Sequence, residues 1–141
     1  MQESLNSELL QLTCDLIAEQ SITPFPARCF TIIERFCQEH QLHYQRLDCH
    51  DTQNLFITTQ QSQQVRLLLS GHIDVVPPGD IKQWSHNPFQ ASIRDDILYG
   101  RGAVDMKSSV AAMLIAIKYL LQQKVARAPI ALLLTSDEEG V

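Results

Sequence analysis

The sequence predicts an α/β domain in which helices pack on a mixed, largely parallel sheet, and three observations predict it. Two short, nearly continuous apolar runs, Val65-Arg66-Leu67-Leu68-Leu69 and Ile130-Ala131-Leu132-Leu133-Leu134, read as strands covered on both faces. Between them Val110, Met113, Leu114, Ile117, Leu120 and Leu121 recur at helical spacing, and Ala111, Ala112 and Ala116 favour the same helix. The chain has 141 residues, 45% hydrophobic and 19% charged, which is enough apolar material for one core and one domain.

The other elements follow in order. Leu5, Leu9, Leu12 and Leu16 make the stripe of a first helix, which Ser21-Ile22-Thr23-Pro24-Phe25-Pro26 ends. Phe30, Ile33, Phe36 and Cys37 form a second helical face. Alternation around Tyr44–Leu47 and Leu55–Ile57 predicts two strands joined by the polar turn Cys49–Asn54. The span from Gly71 to Gly102 reads as a long irregular loop rich in turn formers, among them Pro77, Pro78, Gly79 and Pro88. Irregular loops of that length inside a domain are usually functional. Neither a repeat nor a linker divides the chain.

Composition narrows the function. The net charge is -5 and no Lys/Arg cluster occurs, which argues against nucleic-acid or anionic-membrane partners. Met1–Gln20 has no basic start and is interrupted by Glu3, Glu8, Asp15 and Glu19, so it is not a targeting signal. No apolar stretch reaches the roughly 18 to 20 residues that span a bilayer. The expectation is a soluble, cytoplasmic protein. Cys14, Cys29, Cys37 and Cys49 form no C-x-x-C pair and are expected to be reduced thiols acting as small apolar residues.

Three groups of residues carry chemistry. His72-Ile73-Asp74 stands at the exit of the first apolar strand, where ligands of α/β sheets gather. An imidazole there can hold a metal while Asp74 accepts its other N–H and fixes the tautomer. In Gly100-Arg101-Gly102-Ala103-Val104-Asp105-Met106-Lys107, Asp105 precedes the long helix, either as its N-cap or as a carboxylate able to bridge two cations. Arg101 and Lys107 are expected to be structural or solvated. Ser136-Asp137-Glu138-Glu139-Gly140 follows the second strand, and adjacent glutamates can divide metal ligation and proton transfer between them. One imidazole with several carboxylates is the mixed donor set that suits zinc. His40, His43, His50 and His86 lack such company and are expected to be surface or packing residues.

The ordered strings Ser70-Gly71-His72-Ile73-Asp74-Val75-Val76-Pro77, Trp84 with Pro88-Phe89, Leu98–Gly102, Asp105-Met106-Lys107 and Thr135–Gly140 resemble a zinc peptidase and deacylase family. That family includes succinyl-diaminopimelate desuccinylase, acetylornithine deacetylase and carboxypeptidases of the same fold. The resemblance runs from about Leu9 to Val141, and Ser21–Pro24, Gln53-Asn54-Leu55 and the two acidic motifs favour the desuccinylase branch. It implies a two-zinc amide hydrolase, with cobalt as a substitute ion, that removes succinate from N-succinyl-LL-2,6-diaminopimelate in lysine and diaminopimelate biosynthesis. An acetylornithine deacetylase, a related metallocarboxypeptidase and a non-catalytic remnant are the alternatives.

By the resemblance His72 is a ligand of one zinc, Asp105 the bridging carboxylate and Glu139 a ligand of the other zinc. Glu138 is then the general base, with Asp137 as the substitute candidate, and Asp74 orients His72. Residues 1–141 would form the N-terminal part of the catalytic domain, without the family's lid or dimerisation domain. Such a fragment is expected to be inactive alone, and the complete enzyme is expected to be a homodimer acting on small N-acyl amino acids. One departure is Ser108-Ser109 after Lys107, where the family usually has glycine.

Overall fold

The leucine stripe at the start of the chain becomes α1 (Gln2–Ala18), and the face of Phe30, Ile33, Phe36 and Cys37 becomes α2 (Cys29–Glu39). The structure is a computed structural model that describes residues 2–61, 64–123 and 128–140. Met1 and Val141, which bound two of the stretches read from the sequence, lie outside the described residues. After the helices come β1 (His43–Arg46), β2 (Asn54–Thr58), β3 (Leu67–His72), β4 (Ser92–Arg94) and β5 (Ile97–Tyr99). Helix α3 (Ser108–Gln122) and β6 (Ile130–Thr135) complete the order.

Four strands form one sheet in the order β1-β2-β6-β3. Only β3 and β6 pair in parallel, whereas β1 with β2 and β2 with β6 are antiparallel. The sheet is mixed, as expected, but it is not largely parallel. The reason is connectivity. Parallel neighbours need a long crossover, which α3 supplies between β3 and β6, while the short turn from β1 to β2 can only reverse the chain.

The register stacks Leu55 on Leu134 and Ile57 on Leu132, and these four side chains are fully buried. They meet Leu16, Phe30, Ile33, Val110, Leu114 and Ile117 from the three helices, so the core lies on one face of the sheet. Lys118 on α3, itself buried, pairs with Glu8 and helps dock α1. The other face is less covered. Leu67 and Leu68 of β3 are 51% and 53% exposed, which corrects the expectation of a strand buried on both sides. An apolar run does not reveal that its strand sits at the edge of the sheet.

The span from Gly71 to Gly102 is also more ordered than expected. It holds a helical turn at Ile81–Gln83 and the hairpin β4–β5. Asp95 and Asp96, at φ 50° and 61°, make the tight turn of that hairpin. The serine that replaces the family's usual glycine is accommodated, because Ser108 Oγ donates to Ala103 O at 2.5 Å.

All four cysteines are free. Cys29 and Cys37 are buried as small apolar residues, and burial, with the Glu34 carboxylate, pushes the Cys37 thiol up to about 12. Cys49 is exposed and does not fit that expectation. Among the described residues no helix is long and apolar enough to cross a membrane.

Candidate metal centre

Parallel pairing brings two strand ends together. His72 is the register partner of Thr135, so the chain leaving β3 and the chain leaving β6 emerge side by side. Ile73 N donates to Thr135 O at 3.0 Å and extends the match by one step.

The third arm arrives from the segment before α3. Gly102 has φ 78°, and a Cβ there would lie 2.6 Å from Val75 Cγ1, so the turn requires glycine on both counts. Lys107 is wholly buried and donates from Nζ to Leu16 O at 2.7 Å and to Glu19 O at 2.8 Å. Those carbonyls belong to the end of α1 and the residue after it, and a cation suits that position. Burial lowers the Lys107 pKa, partly offset by Cys29, Glu19 and Asp74 nearby. Between these anchors Asp105 and Met106 leave helical geometry, at φ/ψ of -123°/96° and -135°/35°, and the peptide joining them is cis. Asp105 therefore does not cap α3, whose start has no side-chain cap. Its carboxylate, 73% exposed, faces His72 instead.

His72 is buried, and its two ring nitrogens meet different surroundings. Nδ1 is 3.1 Å from the backbone O of Asp74 and 3.5 Å from its Oδ1. Both are acceptors, so in the neutral ring the proton belongs on Nδ1. Nε2 then presents a lone pair to Asp105 Oδ1 at 3.1 Å and Glu138 Oε2 at 3.7 Å. A lone pair facing two carboxylates is a repulsive arrangement that a cation between them would relieve. Ligand atoms of His72, Asp105 and Glu139 lie within 4.8 Å of one another, the one such group among the described residues. Donor chemistry and geometry both fit a divalent cation.

Asp74, expected to orient His72, has a broader part. Its backbone carbonyl is nearer to Nδ1 than its carboxylate is. Asp74 Oδ2 accepts both Glu138 N and Glu139 N at 3.0 Å, from a side chain with no exposure. The same buried acid thus touches the histidine and pins the two glutamates, a link that spacing alone did not suggest. Two clefts flank the cluster. One, of about 380 Å³, is lined by Val75, Val76, Arg101, Val104, Asp105 and Glu139. The other, of about 330 Å³, includes Gly71, His72, Met106, Thr135 and Glu138.

The residues expected to be structural, packing or surface groups lie outside the ligand group, although Arg101 lines the first cleft. Arg101 lies over the Trp84 ring, His86 meets the rings of Trp84 and Tyr99 edge-on, and His40 packs on Phe36 beside Glu8. His43 and His50 likewise take no part in the cluster.

Strands ending in a histidine and paired acids, with a third carboxylate on a glycine turn, are the arrangement of a metallopeptidase-type catalytic domain. Residues 68–141 match Peptidase family M20/M25/M40, and the chain belongs to that family. It is 45% identical over 139 residues to the succinyl-diaminopimelate desuccinylase of Xanthomonas euvesicatoria pv. vesicatoria (strain 85-10), across 95% of this chain and 36% of that relative. The chain thus spans 36% of that curated relative's length. The M20 family metallo-carboxypeptidase Sso-CP2 from Sulfolobus solfataricus superposes with a TM-score of 0.79 at 25% identity, over 90% of this chain and 30% of that one. Human carnosine dipeptidase 1 shares the fold, with a TM-score of 0.80 at 19% identity over 97% of this chain and 34% of that one. Membership of the family implies a divalent metal ion.

Proposed function

We propose that this chain supplies His72, Asp105, Glu138 and Glu139 to a two-zinc amide hydrolase that removes succinate from N-succinyl-LL-2,6-diaminopimelate. The observation that carries the reading is the mutual approach of His72, Asp105 and Glu139 within 4.8 Å. The substrate is suggested by the 45% identity to a relative named for that reaction.

His72 and Glu139 would each hold one ion, and Asp105, on a side chain that is 73% exposed, would be shared. Zinc at this position supplies Lewis acidity toward an amide carbonyl and toward water. Glu138 Oε2 lies 3.7 Å from His72 Nε2 on a side chain that is 60% exposed, so it can reach both the cluster and the cleft. It takes a proton from the attacking water as the C–O bond forms, and gives that proton to the departing amine as the C–N bond breaks. Asp74 stays behind the site, holding the glutamate backbone and the Nδ1 side of His72.

The test is a chimera in which residues 1–141 replace the matching segment of the Xanthomonas desuccinylase. It should release succinate from N-succinyl-LL-2,6-diaminopimelate in preference to acetate from N-acetylornithine. Glu138→Gln in the chimera should keep bound zinc, measured by metal analysis, and lose about 10²- to 10⁴-fold in kcat. A preference for the acetyl substrate would move the chain to the acetylornithine branch. A Glu138→Gln chimera at full rate would remove Glu138 from the proton pathway.

A further inference from the structure

We infer that Asp137 is a positioning residue for the cluster: its carboxylate ties the 136–140 loop to two distant loops and so fixes where Glu138 and Glu139 stand. This rests on the metal reading above. Asp137 adjoins Glu138 and also carries a carboxyl group, so the sequence makes it the natural substitute base. The geometry assigns it other work. Thr23 Oγ1 donates to Asp137 Oδ1 at 3.0 Å, and Thr52 Oγ1 donates to Asp137 Oδ2 at 3.3 Å. Both carboxylate oxygens are engaged by hydroxyls, whereas Glu138 Oε2 looks toward His72.

The two threonines are themselves fastened to the site. Thr23 N donates to Val75 O at 3.1 Å, and Val75 N donates to Ser21 O at 2.9 Å. Ser21 Oγ donates to Ile73 O at 2.6 Å. The loop after α1 is therefore bolted to the segment that carries His72 and Asp74. Beside Thr52, Gln53 N donates to Ser136 Oγ and Ser136 N donates to Gln53 O, both at 3.0 Å. Gly140 closes the turn on the same carboxylate, since a Cβ there would lie 2.1 Å from Asp137 Oδ1. Asp137 thus draws three pieces of chain, from the 21–23 loop, the 52–53 turn and the 136–140 loop, around the two glutamates that Asp74 holds from beneath.

Groups that orient metal ligands without touching the metal typically matter about 10- to 100-fold in affinity. Asp137 is exposed, so its removal leaves the core intact and the effect can be read at the site. The 141-residue chain suffices, with zinc alone as the probe. Three measurements are made: zinc affinity by competition with a chromophoric chelator, the visible spectrum of the cobalt-loaded chain, and amide hydrogen exchange of the metal-free chain. Asp137→Ala should weaken zinc about 10- to 100-fold and alter the cobalt spectrum. It should also speed exchange at the Glu138 and Glu139 amides and leave Leu132 and Leu134 unchanged. Thr23→Val with Thr52→Val should reproduce that pattern, and Asp137→Asn, which keeps one carbonyl acceptor, should fall between.

Faster exchange with unchanged zinc affinity would make Asp137 an ordinary loop brace and overturn the inference. Weaker zinc with unchanged exchange would make it a direct ligand and overturn it too. If the wild-type chain binds no zinc, the metal reading fails. The inference falls with it, and exchange then separates two cases: faster Glu138 and Glu139 amides in Asp137→Ala would leave Asp137 an ordinary loop brace, and unchanged ones would show that it does not hold the loop at all.

Discussion

The acids that meet at His72 come from two sides of the cluster and are held in opposite ways. On one side, the turn bearing Asp105 is anchored from within by Lys107, a buried cation whose Nζ satisfies Leu16 O and Glu19 O. On the other, Glu138 and Glu139 ride on a surface loop sewn down by polar contacts to Asp74, Thr52 and Gln53. The buried anchor belongs to the folding of the domain, because losing it removes two charge-assisted hydrogen bonds from the interior. The stitched loop belongs to placement, because water can replace most of its outer bonds. Stability and site geometry are thereby divided between the two arms.

The sharpest way to break that contrast is Lys107→Met. It removes the Nζ donor from Leu16 O and Glu19 O, each of which keeps only one backbone N–H, from Glu19 and Ser21 respectively. Hydrogen bonds from a charged donor are worth about 1.5–3 kcal/mol each. The loss, set against the relief of no longer burying a cation, should come to about 3 kcal/mol in urea unfolding. Asp137→Ala, the corresponding deletion on the stitched side, should cost no more than about 0.5 kcal/mol, as exposed substitutions do. Equal losses from the two changes would erase the distinction.

A smaller effect is expected at Gly102, where the buried arm turns. Alanine there meets both a left-handed backbone at φ 78° and Val75 Cγ1 at 2.6 Å. Strain of that kind costs about 1–3 kcal/mol, so Gly102→Ala should lower the urea midpoint, though less than Lys107→Met does. Because the turn also aims Asp105, zinc affinity should fall together with stability. Zinc affinity unchanged in a destabilised variant would mean that Asp105 is aimed by something other than this turn.

The same contrast explains what was legible in the sequence. The strand ends and the helix start could be read from apolar runs, and with them the meeting of His72, Asp105 and the acids of 137–139, among which the family resemblance picked out Glu139. Buried structure leaves a periodic signature in composition, and those three residues stand at its edges. The stitched side leaves none. Thr23 and Thr52 lie 114 and 85 residues from Asp137 in the chain, in polar loops with no pattern to betray a partner. The direction of β6 against β2 was also beyond reach, since Leu55–Ile57 reads alike whether that neighbour runs with it or against it. Lys107 was expected to be structural or solvated, and only the fold distinguishes the two, by seating its Nζ on the end of α1.

The smallest expected effect on stability lies at Gly140, and it separates placement from folding most cleanly. A Cβ there would meet Asp137 Oδ1 at 2.1 Å, but the obstacle is the end of an exposed side chain that can rotate away. Gly140 lacks a positive φ, so alanine adds no backbone strain of its own. Gly140→Ala should therefore change unfolding by no more than about 0.5 kcal/mol, as surface substitutions do. The carboxylate that rotates must release Thr23, and the loop carrying Glu138 and Glu139 loses one of its fastenings. Zinc affinity should accordingly drop several-fold, in the direction of Asp137→Ala and by less. Combining the two changes should give no further loss, because in Asp137→Ala the carboxylate that Gly140→Ala displaces is already gone. Additive losses in the double variant would show that Gly140 supports the glutamates by a route independent of Asp137, and the stitched side would then need a second organising residue.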